Sequence, residues 1–188
     1  MYTPVQIINL GLGKLGQSQI ERIDPPRTSL ERFVAAGYPV WKRTEIAKRR
    51  WVFATSYDVP MALTETLTDA ERPYKYVIGS DVLRVVRGKY AEWKQGGRYV
   101  FSAHAELKLT LIRNAVEADF DPLFVEVLAS RVAFECAEFV TQSNTKKQEA
   151  WDGYNTAVTE AGRANAFTIG AEDNTSDDGV YSFLTARY

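Results

Sequence analysis

Three features of the chain predict an α+β fold. Hydrophobic residues recur with a helical period at both ends, they alternate with a period of two in the middle, and proline and glycine punctuate the places where the period changes. In full, the expectation is an antiparallel α-helical bundle built from residues 1–56 and 117–168. A small antiparallel β-module is inserted at 57–116, and an extended C-terminal tail covers 169–188. With 188 residues, 45% of them hydrophobic, the chain can bury one proper core.

The first element lies in "VQIINLGLGKLGQSQI", where Val5, Ile8, Leu12 and Leu15 recur at helical spacing and form one buried stripe. Gly11, Gly13 and Gly16 also spell Gly-x-Gly-x-x-Gly, the pattern of a dinucleotide-binding turn, and Glu31 stands 20 positions after Gly11. That motif needs a strand before it and a crossover helix after it. Pro25 and Pro26 leave too little chain for such a helix, and no β-branched run leads into Glu31. The glycines are therefore read as points of close helix approach, since each costs about 1 kcal/mol inside a helix unless packing offsets it. Gly13 is the position where alanine should harm folding or assembly.

The second helix opens with Thr28 or Ser29 as N-cap and Glu31 at the capping-box position, and runs to about Val52. Its apolar stripe reads Leu30, Phe33, Val34, Gly37, Val40, Trp41, Thr44, Ala47 and Trp51. Pro39 removes a hydrogen bond and crowds the preceding turn, which predicts a kink or restart near Gly37.

From about Tyr57 the alternation begins. "YKYVIGSDVLRVVRG" and "GGRYVFSAHAELKLTLIRNA" read as strands, with Gly96-Gly97 as the turn between. Tyr99, Phe101, Ala103 and Ala105 share one face, which Leu107, Leu109 and Leu111 continue.

Helices return at "FDPLFVEVLASRVAFECAEFVTQSN", with Asp121 as N-cap and Pro122 in the first helical position. This helix is apolar almost all round and is therefore central. The next, about Lys146 to Ala166, carries Trp151, Tyr154, Val158 and Ala161 on one side and is peripheral. The tail "TIGAEDNTSDDGVYSFLTARY" is first acidic and then apolar. Val180, Tyr181, Phe183, Leu184 and Tyr188 are read as a strap that docks on another chain.

Chemistry is sparse. The 23 basic and 24 acidic residues nearly balance, so no overall field recruits nucleic acid or an anionic membrane. One cysteine and one histidine cannot build an ordinary zinc site, and "EDNTSDD" lacks the glycine and terminal glutamate of a calcium loop. No cofactor or metal is expected. His104 lies in a strand pattern opposite the apolar face, Ser102 shares that face without a nucleophile elbow, and Cys136 belongs to the most apolar helix. No catalytic residue is assigned, and the protein is read as a non-enzyme. No run approaches a membrane span and no signal peptide opens the chain. The one basic cluster, Lys42, Arg43, Lys48, Arg49 and Arg50, either contacts DNA phosphate or pairs with carboxylates of a neighbouring subunit. A nucleic-acid-binding helical protein using this face is the alternative function.

The order of these segments resembles the tail tubular protein A family of short-tailed bacteriophages, the head-to-tail adaptors that bind beneath the portal. "IINLGLGKLGQSQI" is similar to its N-terminal helix and small-residue turn. "RRWVFATS" resembles its Arg…Trp-x-Phe-Ala helix end at Arg50, Trp51, Phe53 and Ala54. "RPYKYVIGSDVLRVVRG" resembles its Tyr…Pro-x-Asp-x-Leu-Arg strand at Tyr76, Asp81, Leu83 and Arg84, with Gly79-Ser80 where the family often has a proline. The two C-terminal helices are similar as well, so the resemblance spans about residues 5–167. It implies a helical bundle with an inserted β-module and a twelve-subunit ring joining portal to tail nozzle around the channel through which double-stranded DNA passes. Expected partners are further copies of the chain, the portal protein, the nozzle protein, and a tail fibre or spike. The expected place is the virion, after synthesis in the host cytoplasm, with no membrane contact.

Overall fold

In the computed structural model, which describes residues 1–68, 70–88 and 92–173, helix α1 (Pro4–Lys14) meets helix α3 (Pro122–Thr141) at Gly11. A Cβ on Gly11 would lie 2.6 Å from the Ala129 carbonyl oxygen and 2.8 Å from Val132 Cβ. Close approach is thus what this glycine serves. Gly13 is a correction to the sequence reading: it faces open space, because it lies two residues, and so more than half a turn, away from Gly11. Gly16 ends the motif in a left-handed turn at φ +69°. Helix α1 runs straight through Gly11 and Gly13, so the strand–turn–helix of a dinucleotide site is not formed. Its buried face is Ile7, Ile8, Gly11 and Leu12, with Val5 and Leu15 packed at the edge. The connector that follows is pinned by Asn9, whose side chain donates to the Ile20 carbonyl at 3.0 Å and accepts from its N–H at 2.9 Å.

Helix α2 (Ser29–Lys48) starts on the expected capping box. Thr28 Oγ1 accepts from Glu31 N, while Glu31 Oε2 accepts from the N–H groups of Arg27 (2.6 Å) and Thr28 (3.0 Å). Those two backbone donors hold the Glu31 carboxyl below its ordinary range. The helix is continuous through Gly37 and Pro39, so the kink or restart expected near Gly37 is not a restart. Pro39 sits on the exposed face, so water can reach the carbonyl it leaves without a donor, and Gly37 instead makes room for the Trp41 indole. The buried stripe is also rotated from the predicted one. It runs Glu31, Val34, Tyr38, Trp41 and Glu45, while Val40 is 61% exposed and Trp51 lies beyond the helix end. Two partnered glutamates on the inner face explain the difference, since they read as solvent-facing in an apolarity pattern.

The β-module begins at Thr55, two residues before the predicted boundary, and forms two antiparallel sheets. One has the order β1 (Thr55–Pro60), β7 (Lys108–Arg113), β4 (Val82–Gly88). The other has the order β2 (Leu63–Thr66), β3 (Tyr74–Val77), β6 (Tyr99–Ser102), β5 (Trp93–Gly96). They share a core of Tyr76, Ile78, Val100, Leu107, Leu109 and Leu111. Ile112, Leu83 and Val86 of the first sheet join the helical core instead, so that sheet is a middle layer. Four successive residues of β7, Leu109 to Ile112, are consequently buried. The predicted face of Tyr99, Phe101, Ala103 and Ala105 is corrected: Val100 and Ser102 are the buried residues of β6. The strand stops at Ser102, and the bend that carries the chain to the other sheet resets the phase before Leu107. The turn between β5 and β6 falls where expected, with Gly97 at φ +60°.

Helix α3 has the predicted start, with Asp121 Oδ1 accepting from Phe124 N at 2.8 Å and Pro122 in the first turn. It packs against α1, α2 and α4 and so is central. Helix α4 (Asn144–Asp173) is longer than predicted and takes in residues 169–173, assigned above to an extended tail. Its inner stripe of Tyr154, Ala157 and Ala161 continues in phase through Asn165 and the half-buried Ile169, which keeps the helix wound. Among the described residues no helix is long and apolar enough to cross a membrane.

Candidate functional site at the junction of helices and sheets

The chain leaving α2 turns to extended backbone at Arg49, and the next residues lock four elements together. Asn165 of α4 donates through Nδ2 to the Arg50 carbonyl (2.7 Å) and accepts through Oδ1 from Val52 N–H (3.1 Å). Trp51, 1% exposed, donates from Nε1 to the Glu45 carbonyl at 3.0 Å. Its ring meets Phe124 edge-on at 4.9 Å between centroids, and Phe53 packs on Phe120 and Phe124 at 5.3 and 4.9 Å. Ala54 then leads into β1.

Strand β4 reaches the same place from the other side. Asp81 accepts from Arg113 Nη1 at 2.7 Å, and its carbonyl accepts from Asn114 N at 2.8 Å. Leu83 enters the helical core, and Arg84 Nη1 approaches the Lys48 carbonyl at 3.5 Å. Tyr76, buried in the module, donates its hydroxyl to the His104 carbonyl at 2.7 Å. A shallow cleft remains between the two sets, lined by Phe53, Ala54, Asp81, Arg113, Val116 and Asp119. Residues thirty positions apart in the chain are thus brought to one junction.

Behind the junction lies a buried polar cluster centred on Glu45, which is 2% exposed. Its carboxylate accepts from Lys48 Nζ at 2.8 Å, Arg131 Nη1 at 3.0 Å and the Tyr154 hydroxyl at 3.0 Å. Lys48 and Arg131 also sit over the Tyr154 ring, 5.4 and 5.6 Å from its centroid. Burial works against the Lys48 ammonium, but its bonds to Glu45 and Tyr154 outweigh that and hold it above its ordinary range. Arg131 is held up in the same way, chiefly against burial, by Glu135 and Glu45. With Glu135 the cluster is charge-balanced, and the Glu45 carboxylate is shut off from solvent. It ties α2, α3 and α4 together.

The basic residues singled out from sequence do not form one free face. Lys42 pairs with Glu117 at 3.1 Å in a largely buried position, and burial with the same glutamate raises the Tyr38 hydroxyl. Lys48 belongs to the Glu45 cluster. The Arg49 guanidinium lies where a Cβ on Gly162 of α4 would fall. Arg50 donates to the Tyr57 hydroxyl at 3.1 Å and stacks over its ring. Arg43 and Arg49 are exposed and neither has a hydrogen-bond or ion-pair partner among the described residues, Arg49 lying against α4 and Arg43 pointing away from it. Val180, Tyr181, Phe183, Leu184 and Tyr188 lie outside the described residues.

Cys136 is fully buried, and burial pushes its thiol up to about 12. His104 lies in the bend after β6 rather than in a strand, its Nε2 3.9 Å from Glu92, and Ser102 Oγ accepts its N–H at 3.1 Å. Glu45, Arg131 and Asn165 escaped the sequence reading. The phase of Val34, Tyr38 and Trp41 carries directly to Glu45, and Arg131 is the lone cation of the most apolar helix; both were legible signals. No family model matches this chain, and no curated protein matches it.

Proposed function

We propose that the chain is a non-enzymatic virion protein, a head-to-tail adaptor whose twelve copies form a ring between portal and tail nozzle around the DNA exit channel. On this reading the helices form the antiparallel bundle that builds the ring, and the β-module offers the surface that meets the nozzle. The observation that carries the proposal is the junction. Of the landmarks on which the resemblance to tail tubular protein A rests, Arg50, Trp51, Phe53 and Ala54 in one segment and Asp81, Leu83 and Arg84 in another gather around one seam between helices and sheets, while Tyr76 lies in the core between the two sheets. A module that passes load from one partner to another must be coupled rigidly to its body. Leu83, Val86 and Ile112 of the sheet enter the helical core and Arg84 reaches the Lys48 carbonyl, while the Asn165 amide and the aromatic packing fix the helical side of the seam, and together they supply the coupling.

Electron microscopy of the purified protein, alone and mixed with portal rings, tests this. Twelvefold rings are expected in at least the portal mixture. A monomer in both, with DNA affinity that falls steeply with salt, would overturn the proposal in favour of a nucleic-acid-binding helical protein.

A further inference from the structure

The outer faces of α2 and α4 carry opposite charges that no ion pair among the described residues neutralises. On α2, Arg32, Ala36, Val40 and Arg43 follow one another at helical spacing on the side away from the buried stripe, and all four are exposed. Neither arginine has a side-chain partner among the described residues. On α4, Asp152, Thr156 and Glu160 form an exposed stripe opposite Tyr154, Ala157 and Ala161. Among the described residues Glu160 has no side-chain partner, and the Asp152 carboxylate accepts only from the neutral Gln148, at 3.0 Å. Glu149 shares the stripe but is already paired with Lys146, and Arg163 lies one turn beyond Glu160.

Spacing agrees with charge. At a rise of about 1.5 Å per residue, Arg32 and Arg43 stand about 16 Å apart and Asp152 and Glu160 about 12 Å apart, a difference that flexible arginine stems close. Between the charges each face carries small or apolar groups, Ala36 and Val40 on one and Thr156 on the other, so two helices can approach. A closed ring needs every subunit to present two different, complementary surfaces, whereas a two-fold dimer would set like against like.

We infer that the arginine face of α2 in one copy docks on the acidic face of α4 in the next copy, and that this contact closes the ring. The inference rests on the adaptor reading above. Three variants test it, each checked for a native circular dichroism spectrum: Arg32→Glu with Arg43→Glu, Asp152→Arg with Glu160→Arg, and all four together, imaged under conditions in which the natural protein forms rings. Each double variant should lose at least tenfold in ring fraction, and the fourfold variant should regain it. Rings that persist in either double variant, or a fourfold variant that stays dispersed, overturn this assignment while leaving the adaptor reading intact. Absence of rings from the natural protein would instead remove the reading on which it rests.

Discussion

Asn165 and Arg50 are 115 positions apart, yet the Asn165 amide donates to the Arg50 carbonyl at 2.7 Å and its oxygen takes the Val52 N–H at 3.1 Å. One side chain thereby satisfies the two backbone groups flanking Trp51 at the point where the helices hand over to the sheets. Asn165→Ala leaves both without protein partners in a partly buried seam, and should cost about 2 kcal/mol in urea unfolding. A loss under about 0.5 kcal/mol would mean that water replaces the amide freely.

The two helical glycines of α1 should respond in opposite directions. Gly11→Ala drives a methyl into the Ala129 carbonyl and Val132, and should destabilise by about 1–3 kcal/mol. Gly13→Ala meets open space and gains helix propensity, so it should be neutral or stabilise by up to about 1 kcal/mol. Thermal melts of the two variants decide this, and equal destabilisation would rule out the packing account.

Glu45→Gln keeps the shape of the buried cluster but removes the charge that Arg131 and Lys48 share. Because Lys48 is partly exposed and Arg131 retains Glu135, the expected cost is about 2–3 kcal/mol rather than the full penalty of a stranded ion pair. Glu135→Gln should cost less, since Arg131 then keeps Glu45. Chemical denaturation of both variants gives the order, and its reversal would place the stabilising charge on the wrong glutamate.

Cys136 offers a probe of the α3 core. Reaction with an alkylating reagent needs thiolate, and burial both shields the sulfur and raises its pKa to about 12. In native protein at pH 8 it should stay unlabelled over hours, and label within minutes in denaturant. Rapid labelling of the native form would show that the helical core opens far more readily than its packing implies.

Local pattern alone was enough for the α+β class, the succession of helices, β-module and helices, the Thr28–Glu31 capping box, the Asp121–Pro122 helix start and the turn at Gly97. Each of these rests on interactions within four residues along the chain, and such interactions are written in the local pattern. Tertiary structure decided which glycine of α1 is packed, which way α2 faces, and how β6 and β7 divide between two sheets. The folded chain also turns Lys42, Lys48, Arg49 and Arg50 towards its own groups, while Arg43 meets none among the described residues. Those outcomes depend on partners such as Glu117, Tyr154, Gly162 and Tyr57, all but Tyr57 remote in the chain, and on Glu45 and Arg131 meeting across 86 positions. A charged residue paired in the interior leaves the same mark in an apolarity pattern as one in solvent; helical phase could point Glu45 and Arg131 inward, but only the folded chain supplies their partners.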